Sequence, residues 1–372
     1  MPRFIRRITI WLLVASCLSS LNPCQAAAPV VSASAYVLMD ADSGRVLLSQ
    51  NETAEKPIAS TTKIMTALVA LERSRLTDTV TVKREHLKEG SSMYLAEGER
   101  LTMEALLYGL MLPSGNDAAE CIADWCGKGR ERFVERMNEK AAALGMTHTS
   151  FANPSGLDAA GHYSCALDMA RLMAYAMQNP TFAQIVSAES AMVGTRSMGN
   201  HNKLLGVVEG CIGGKTGYTN AAGRTLVTCA ERGGLRLVAV TLHDGSDWND
   251  HEALYEYGFS AYHSERIIER GGEYALAAVR GGAAVCVRLC AAESFYCTLT
   301  GDETPTLRVE AADVLSAPVK AGQKCGKLVV SLNGAEFGSV DLLAADDVAV
   351  VEAEHSTRTL AERLRALWRT EL

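Results

Sequence analysis

Pro57-Ile58-Ala59-Ser60-Thr61-Thr62-Lys63-Ile64-Met65-Thr66 stands where an extended pattern gives way to a helical one, and the fold turns on reading it. Ser60 begins a helix over 60–73 that keeps apolar Ile64, Leu68 and Leu71 in register. Before it lie a strand, Ala35-Tyr36-Val37-Leu38-Met39, the turn Asp40-Ala41-Asp42-Ser43-Gly44, and a second strand at Val46-Leu47-Leu48. After it, helical periodicity recurs over 103–125, broken at Pro113, and over 130–144 and 167–177. Beyond residue 210 strands return, and Gly223 to Ala230 with Leu235 to Leu242 read as a hairpin around Arg232-Gly233-Gly234. Strands first, helices in the middle and strands last predict an α+β domain. It is an antiparallel sheet built from both ends of the segment and flanked by helices.

The chain of 372 residues exceeds one ordinary domain. Domain one is expected over 29–263. From 264 to 354 short alternating runs such as Val285-Cys286-Val287-Arg288-Leu289 are separated by Gly, Asp and Asn turns, including Leu332-Asn333-Gly334, which predicts a small all-β domain. Residues 1–28 carry Arg3, Arg6 and Arg7, then the apolar run Ile8 to Ala15, then small residues up to Ala28. That is the layout of a secretory signal peptide cleaved after Ala26, with lipoprotein processing at Val14-Ala15-Ser16-Cys17 as the alternative. In the last stretch, 355–372, Leu360, Leu364, Leu367 and Trp368 form a stripe flanked by Arg358, Arg363, Arg365 and Arg369. This suits an amphipathic helix lying on a membrane surface; the alternative is a helix packed on the β domain. The expected location is outside the cytoplasmic membrane, on its outer face or in the cell-wall space.

A net charge of −7 without a basic cluster argues against a nucleic-acid partner. Cys17 and Cys24 fall in the signal segment and leave nine of 11 cysteines, an odd number that cannot all pair internally. Cys121/Cys126 and Cys286/Cys290 lack zinc-ligand spacing, so the cysteines read as small buried hydrophobes. His201, His243 and His251 are scattered, read as structural, and suggest no metal. No cofactor is expected.

Three short motifs carry chemistry. In Ser60-Thr61-Thr62-Lys63 the first and last residues share a helix face, so Lys63 can reach the Ser60 hydroxyl and serve as the base that a weak nucleophile needs. A crowded, cationic pocket would lower the lysine pKa enough. Ser114-Gly115-Asn116 follows the Pro113 break, where a loop can present a hydroxyl and a carboxamide together: Ser114 to pass a proton to a leaving amine, Asn116 to hold a substrate amide. Lys215-Thr216-Gly217, then Tyr218, sits on an expected edge strand. There Lys215 and Thr216 offer charge and a hydroxyl to a terminal carboxylate, and the glycines admit a substrate backbone. The N–H groups of Ser60 and Tyr218 would form an oxyanion hole.

Their order, Ser-x-x-Lys, Ser-x-Asn, Lys-Thr-Gly, is that of penicillin-binding proteins and β-lactamases. The sequence resembles the low-molecular-weight penicillin-binding proteins, the serine-type D-Ala-D-Ala carboxypeptidases. The likeness extends through Met111 to Ala119, Phe151 to Leu157, Asn202 to Leu205, Gly214 to Thr219, Tyr257-Gly258-Phe259 and Pro318 to Gln323. It implies a transpeptidase-like catalytic domain, a C-terminal β domain and the terminal helix as a membrane anchor. The partners implied are a peptidoglycan stem peptide ending in D-Ala-D-Ala, and β-lactam inhibitors. A class A β-lactamase shares the motifs but needs a deacylating glutamate, and no Glu lies between Lys140 and Ser187. A non-catalytic wall scaffold on the same fold is the other alternative. The sequence departs from many relatives in one place. Where they carry an Arg shortly before the strand end at Tyr257-Gly258-Phe259, this chain has Ser246-Asp247-Trp248-Asn249-Asp250-His251.

Overall fold

The computed structural model describes residues 27–351, so all but two residues of the expected signal segment, and the terminal helix at 355–372, lie outside the described residues. The chain divides into two compact units, one up to Ser264 with Thr298–Gly301, the other Glu265–Cys297 with the chain from Asp302.

The first unit is built on a five-stranded antiparallel sheet. Its strands are β1 (Ala35–Asp40), β2 (Val46–Gln50), β7 (Cys211–Thr219), β8 (Gly223–Arg232) and β9 (Leu235–Leu242), in spatial order β2-β1-β9-β8-β7. The short strands β3 (Thr79–Thr81) with β4 (Arg100–Thr102), and β5 (Ser190–Val193) with β6 (Arg196–Gly199), form two small hairpins outside it. The helices are α1 (Lys63–Arg73), α2 (Met103–Met111), α3 (Asn116–Gly127), α4 (Arg130–Ala143), α5 (Ala166–Ala176), α6 (Pro180–Ser187) and α7 (Asp247–Ala261).

Alternation along the strands sends side chains to two separate cores. Val37, Met39, Val227, Val238 and Val240 pack with α1 to α6, whereas Leu38, Leu226, Leu237 and Ala239 pack with Leu254 and Tyr255 of α7. A sheet buried on both faces explains why Leu235 to Leu242 is almost continuously apolar. Two expectations need correction. Tyr257-Gly258-Phe259 is not a strand end but part of α7, and Ser60 lies on a 3₁₀ turn (Ala59–Thr62) that leads into α1.

The second unit is all-β among its described residues. Its main sheet has six strands, with Lys324–Leu332 and Ala335–Ala344 joined at Asn333-Gly334 and paired along their length. Val287, Leu289, Leu328, Val330, Val340 and Leu342 are buried there. The nine described cysteines form no disulfide with one another. Cys121, Cys165, Cys229 and Cys297 are buried as small hydrophobes should be, but Cys286 is exposed.

Candidate active site

Hydroxyl-to-carbonyl bonds pin the start of α1. Thr61 Oγ1 and Thr225 Oγ1 both donate to the Ile58 carbonyl, at 2.6 and 3.2 Å, and Thr66 Oγ1 donates to Pro154 O at 2.6 Å. Behind them His162 Nδ1 accepts from Ala152 N–H, so its proton is on Nε2, 2.8 Å from Thr62 Oγ1. Burial lowers the His162 pKa to about 4, which keeps this ring neutral.

Lys63 is fully buried, and its Nζ has three oxygens around it: Ser60 Oγ at 2.9 Å, Asn116 Oδ1 at 2.8 Å and the Ser155 carbonyl at 2.6 Å. Burial first, and the neighbouring Lys215 second, lower its pKa well below that of a free lysine. The Asn116 and Ser155 oxygens can only accept. A neutral amine has two N–H groups to give them, which leaves its lone pair for the Ser60 O–H. This is the geometry of a base facing its nucleophile.

The Ser155 carbonyl was not anticipated. Asn153 Oδ1 holds its loop by accepting from Ser155 N–H and Gly156 N–H at 3.2 and 2.7 Å. Gly156 has φ +89°, and a Cβ there would lie 1.9 Å from the Ala59 carbonyl oxygen, beside Ser60. Asn153-Pro154-Ser155-Gly156 is a turn signal in sequence, but nothing in it points at a lysine 92 residues away.

Ser114, on the link between α2 and α3, adopts φ +65°, and its buried Oγ has no hydrogen-bond partner in the protein. An unused hydroxyl held in a sparsely populated conformation is a mark of a working position. Asn116 has both ends engaged, Oδ1 by Lys63 and Nδ2 as donor to Glu89 O at 2.8 Å. One lone pair on Oδ1 and one N–H on Nδ2 remain for the expected contact with a substrate amide.

β7 is the sheet's edge strand. Lys215 is buried with its Nζ donating to Thr216 O at 2.9 Å, and burial lowers its pKa to about 7. Gly217 lets β7 approach Ser60, because a Cβ there would lie 3.0 Å from Ser60 N and 2.4 Å from Thr225 Oγ1. Ser60, Ser114, Thr216, Gly217 and Tyr218 line one cleft of about 380 Å³. Ser91, His201, Arg224, Asp247 and Trp248 complete its wall, and sequence reasoning named none of them as site residues. His201, read as structural, therefore belongs to the cleft. His251 does fit that reading, bonded between Thr228 Oγ1 and Thr241 Oγ1.

Among the described residues one trio has metal-like proximity, Glu85, His86 and Asp124. Lys83 Nζ already pairs with Asp124 at 2.5 Å, and His86 Nδ1 accepts from Lys83 N–H at 3.1 Å. The His86 proton is therefore on Nε2, the nitrogen nearest Asp124 and the one a metal would need. The trio reads as paired charge.

The family described as D-alanyl-D-alanine carboxypeptidase, peptidase S11, matches residues 22–246, and the C-terminal domain of penicillin-binding protein 5 matches residues 262–350. D-alanyl-D-alanine carboxypeptidase DacF of Bacillus subtilis is 30% identical, over 85% of this chain and 86% of its own. The crystal structure of penicillin-binding protein 5 from Haemophilus influenzae superposes with a TM-score of 0.76 at 29% identity, covering 87% of this chain and 99% of its own. The D-alanyl-D-alanine carboxypeptidase structure from Mycobacterium tuberculosis gives 0.61 at 38% identity, over 64% of this chain and 95% of its own. Lys63 Nζ on Ser60 Oγ, Lys215 on the edge strand β7 and these matches converge: the chain belongs to the peptidase S11 family of D-alanyl-D-alanine carboxypeptidases, with the β domain of penicillin-binding protein 5.

Proposed function

We propose that the protein is a serine-type D-Ala-D-Ala carboxypeptidase that removes the terminal D-Ala of peptidoglycan stem peptides through an acyl-enzyme on Ser60, and that β-lactams trap it there. The observation that carries the reading is the three-oxygen setting of Lys63 Nζ, which leaves one lone pair for Ser60. Lys63 takes the Ser60 proton as the oxygen attacks the carbonyl between the two D-Ala residues. The N–H groups of Ser60 and Tyr218 receive the oxyanion. Ser114, with its unpartnered hydroxyl, relays the proton to the departing amine, and Asn116 holds the base in place. The leaving D-Ala carboxylate rests on Thr216 with Lys215 behind it. Water then hydrolyses the ester, with Lys63 again as base.

A β-lactam ring is a strained mimic of the scissile amide, and opening it leaves the same ester on Ser60. The β-lactamase alternative is not favoured, because no glutamate lies between Lys140 and Ser187 to activate the deacylating water. Intact-mass spectrometry after penicillin treatment, with D-Ala release from a pentapeptide, tests the reading. The expected result is a long-lived single adduct in the native chain and none in Ser60→Ala. An adduct that persists in Ser60→Ala would overturn the assignment.

The signal segment over residues 1–28 supports export to the cell-wall space, and the amphipathic spacing at 355–372 supports attachment to the outer face of the cytoplasmic membrane. No helix among the described residues is long and apolar enough to cross a membrane.

A further inference from the structure

We infer that Arg224 is the specificity-determining residue for a free terminal carboxylate, and that Asp247 and Trp248 are its positioning residues. The inference rests on the carboxypeptidase reading and names a side chain that the motifs do not include. The β7–β8 register pairs Tyr218 with Arg224 and Thr216 with Leu226. Arg224 therefore shares a sheet face with Tyr218 and lies diagonally from Thr216, a spacing of about 7–8 Å that a long side chain spans.

The guanidinium is held in one attitude. Nε and Nη2 both donate to Asp247 Oδ1, at 3.0 and 2.5 Å, and the guanidinium carbon lies 5.4 Å from the centre of the Trp248 ring. Asp247 is buried and its Oδ1 also accepts from Trp248 N–H at 3.0 Å, so the clamp is fixed to the first turn of α7. These bonds use the Nε side of the guanidinium and leave the Nη1/Nη2 edge, a fork that matches a carboxylate, on a side chain that is 43% exposed in the cleft wall. Among the described residues that line the cleft, Arg224 is the one permanent cation. Lys215 is buried behind Thr216, and burial and Lys215 lower the His201 pKa.

The stretch Ser246 to His251, which opens α7, has no arginine where many relatives have one, but it supplies Asp247 and Trp248, which grip an arginine from β8. The start of α7 thus positions a cation that it does not itself carry.

The test compares two substrates, a tripeptide ending in D-Ala-D-Ala and the same tripeptide with a C-terminal carboxamide, by release of D-Ala or D-alaninamide. The ratio of kcat/KM for acid over amide is expected to fall on the order of 10–100-fold in Arg224→Gln, the scale of a lost charge-assisted hydrogen bond. Arg224→Lys should restore part of the ratio. Asp247→Asn should lower it by a smaller factor, through KM more than kcat. Equal losses on both substrates, or an unchanged ratio, would overturn the inference. Should Arg224→Gln fail to fold, the ratio in Arg224→Lys decides alone: a fall supports the assignment and an unchanged ratio refutes it. Native-enzyme turnover of the acid in the same series tests the carboxypeptidase reading separately.

Discussion

Lys215 is a cation by residue type, yet in the empty site burial brings its pKa down to about 7, so near neutral pH only about half of the molecules carry that charge. A carboxylate placed beside it favours the charged form and raises the pKa again. At pH 8 the free amine is mostly neutral and the occupied one is protonated, so binding takes up a proton; well below pH 7 both are protonated and little is exchanged. Calorimetry of a D-Ala-D-Ala tripeptide binding to Ser60→Ala, in buffers of different ionisation heat, should show uptake of up to one proton at pH 8 and almost none at pH 5.5. Heats that do not depend on buffer at pH 8 would contradict this. Residue spacing made Ser60, Lys63, Ser114 and Lys215 legible, because each motif is local. Ser155 was not legible, because it acts through a backbone carbonyl that any residue could supply. Arg224 was missed because its meaning depends on a cross-strand register and on a partner 23 residues away.

At the scale of elements, β1, β2, β8 and β9 followed from apolar runs bounded by turn residues, and β7 was expected only through its Lys-Thr-Gly motif, whereas α7 was obscured. Asp247, Asp250 and His251 are buried polar groups in its first turns, so the apolar stripe that announces a helix is interrupted there. His251 joins α7 to the sheet through Thr228 on β8 and Thr241 on β9, and burial lowers its pKa to about 3. Its folded pKa lies below the unfolded value near 6.5, so the unfolded chain binds the extra proton first. Its contribution to stability is therefore complete above about pH 6.5 and is lost as pH falls from there toward 3. Between pH 7 and 5 the loss should reach about 2 kcal/mol for His251, at about 1.4 kcal/mol per pH unit. Denaturant unfolding at the two pH values, in the native chain and in His251→Gln, should show a smaller pH dependence in the variant. An identical pH dependence would remove His251 from the account.

The molecule as a whole keeps its chemistry in one unit. Every residue that lines the cleft lies before Ser264, and the S11 family match ends at residue 246. A chain ended after Ser264 is therefore expected to form the Ser60–penicillin adduct at a rate within a few-fold of the full chain, as read by intact mass. A loss of more than tenfold in a folded truncation would give the β unit a part in acylation. The change in patterning after residue 264 announced that second unit, since short alternating runs between turns are local, whereas its strand order depends on pairings that no local signal encodes.

For export from the N-terminus, as proposed above, the sheet of the first unit imposes an order of events. β1 lies between β2 and β9, and Ala35 pairs with Leu242. The β1–β2 hairpin can form early, but its other edge stays open until the strand ending at Leu242 emerges on the far side. Closure of both cores must wait for that arrival, because β8 and β9 contribute to each. On that proposal delivery and folding are consecutive, and Ser60 shares a cleft with Tyr218 only once β7 has followed it out.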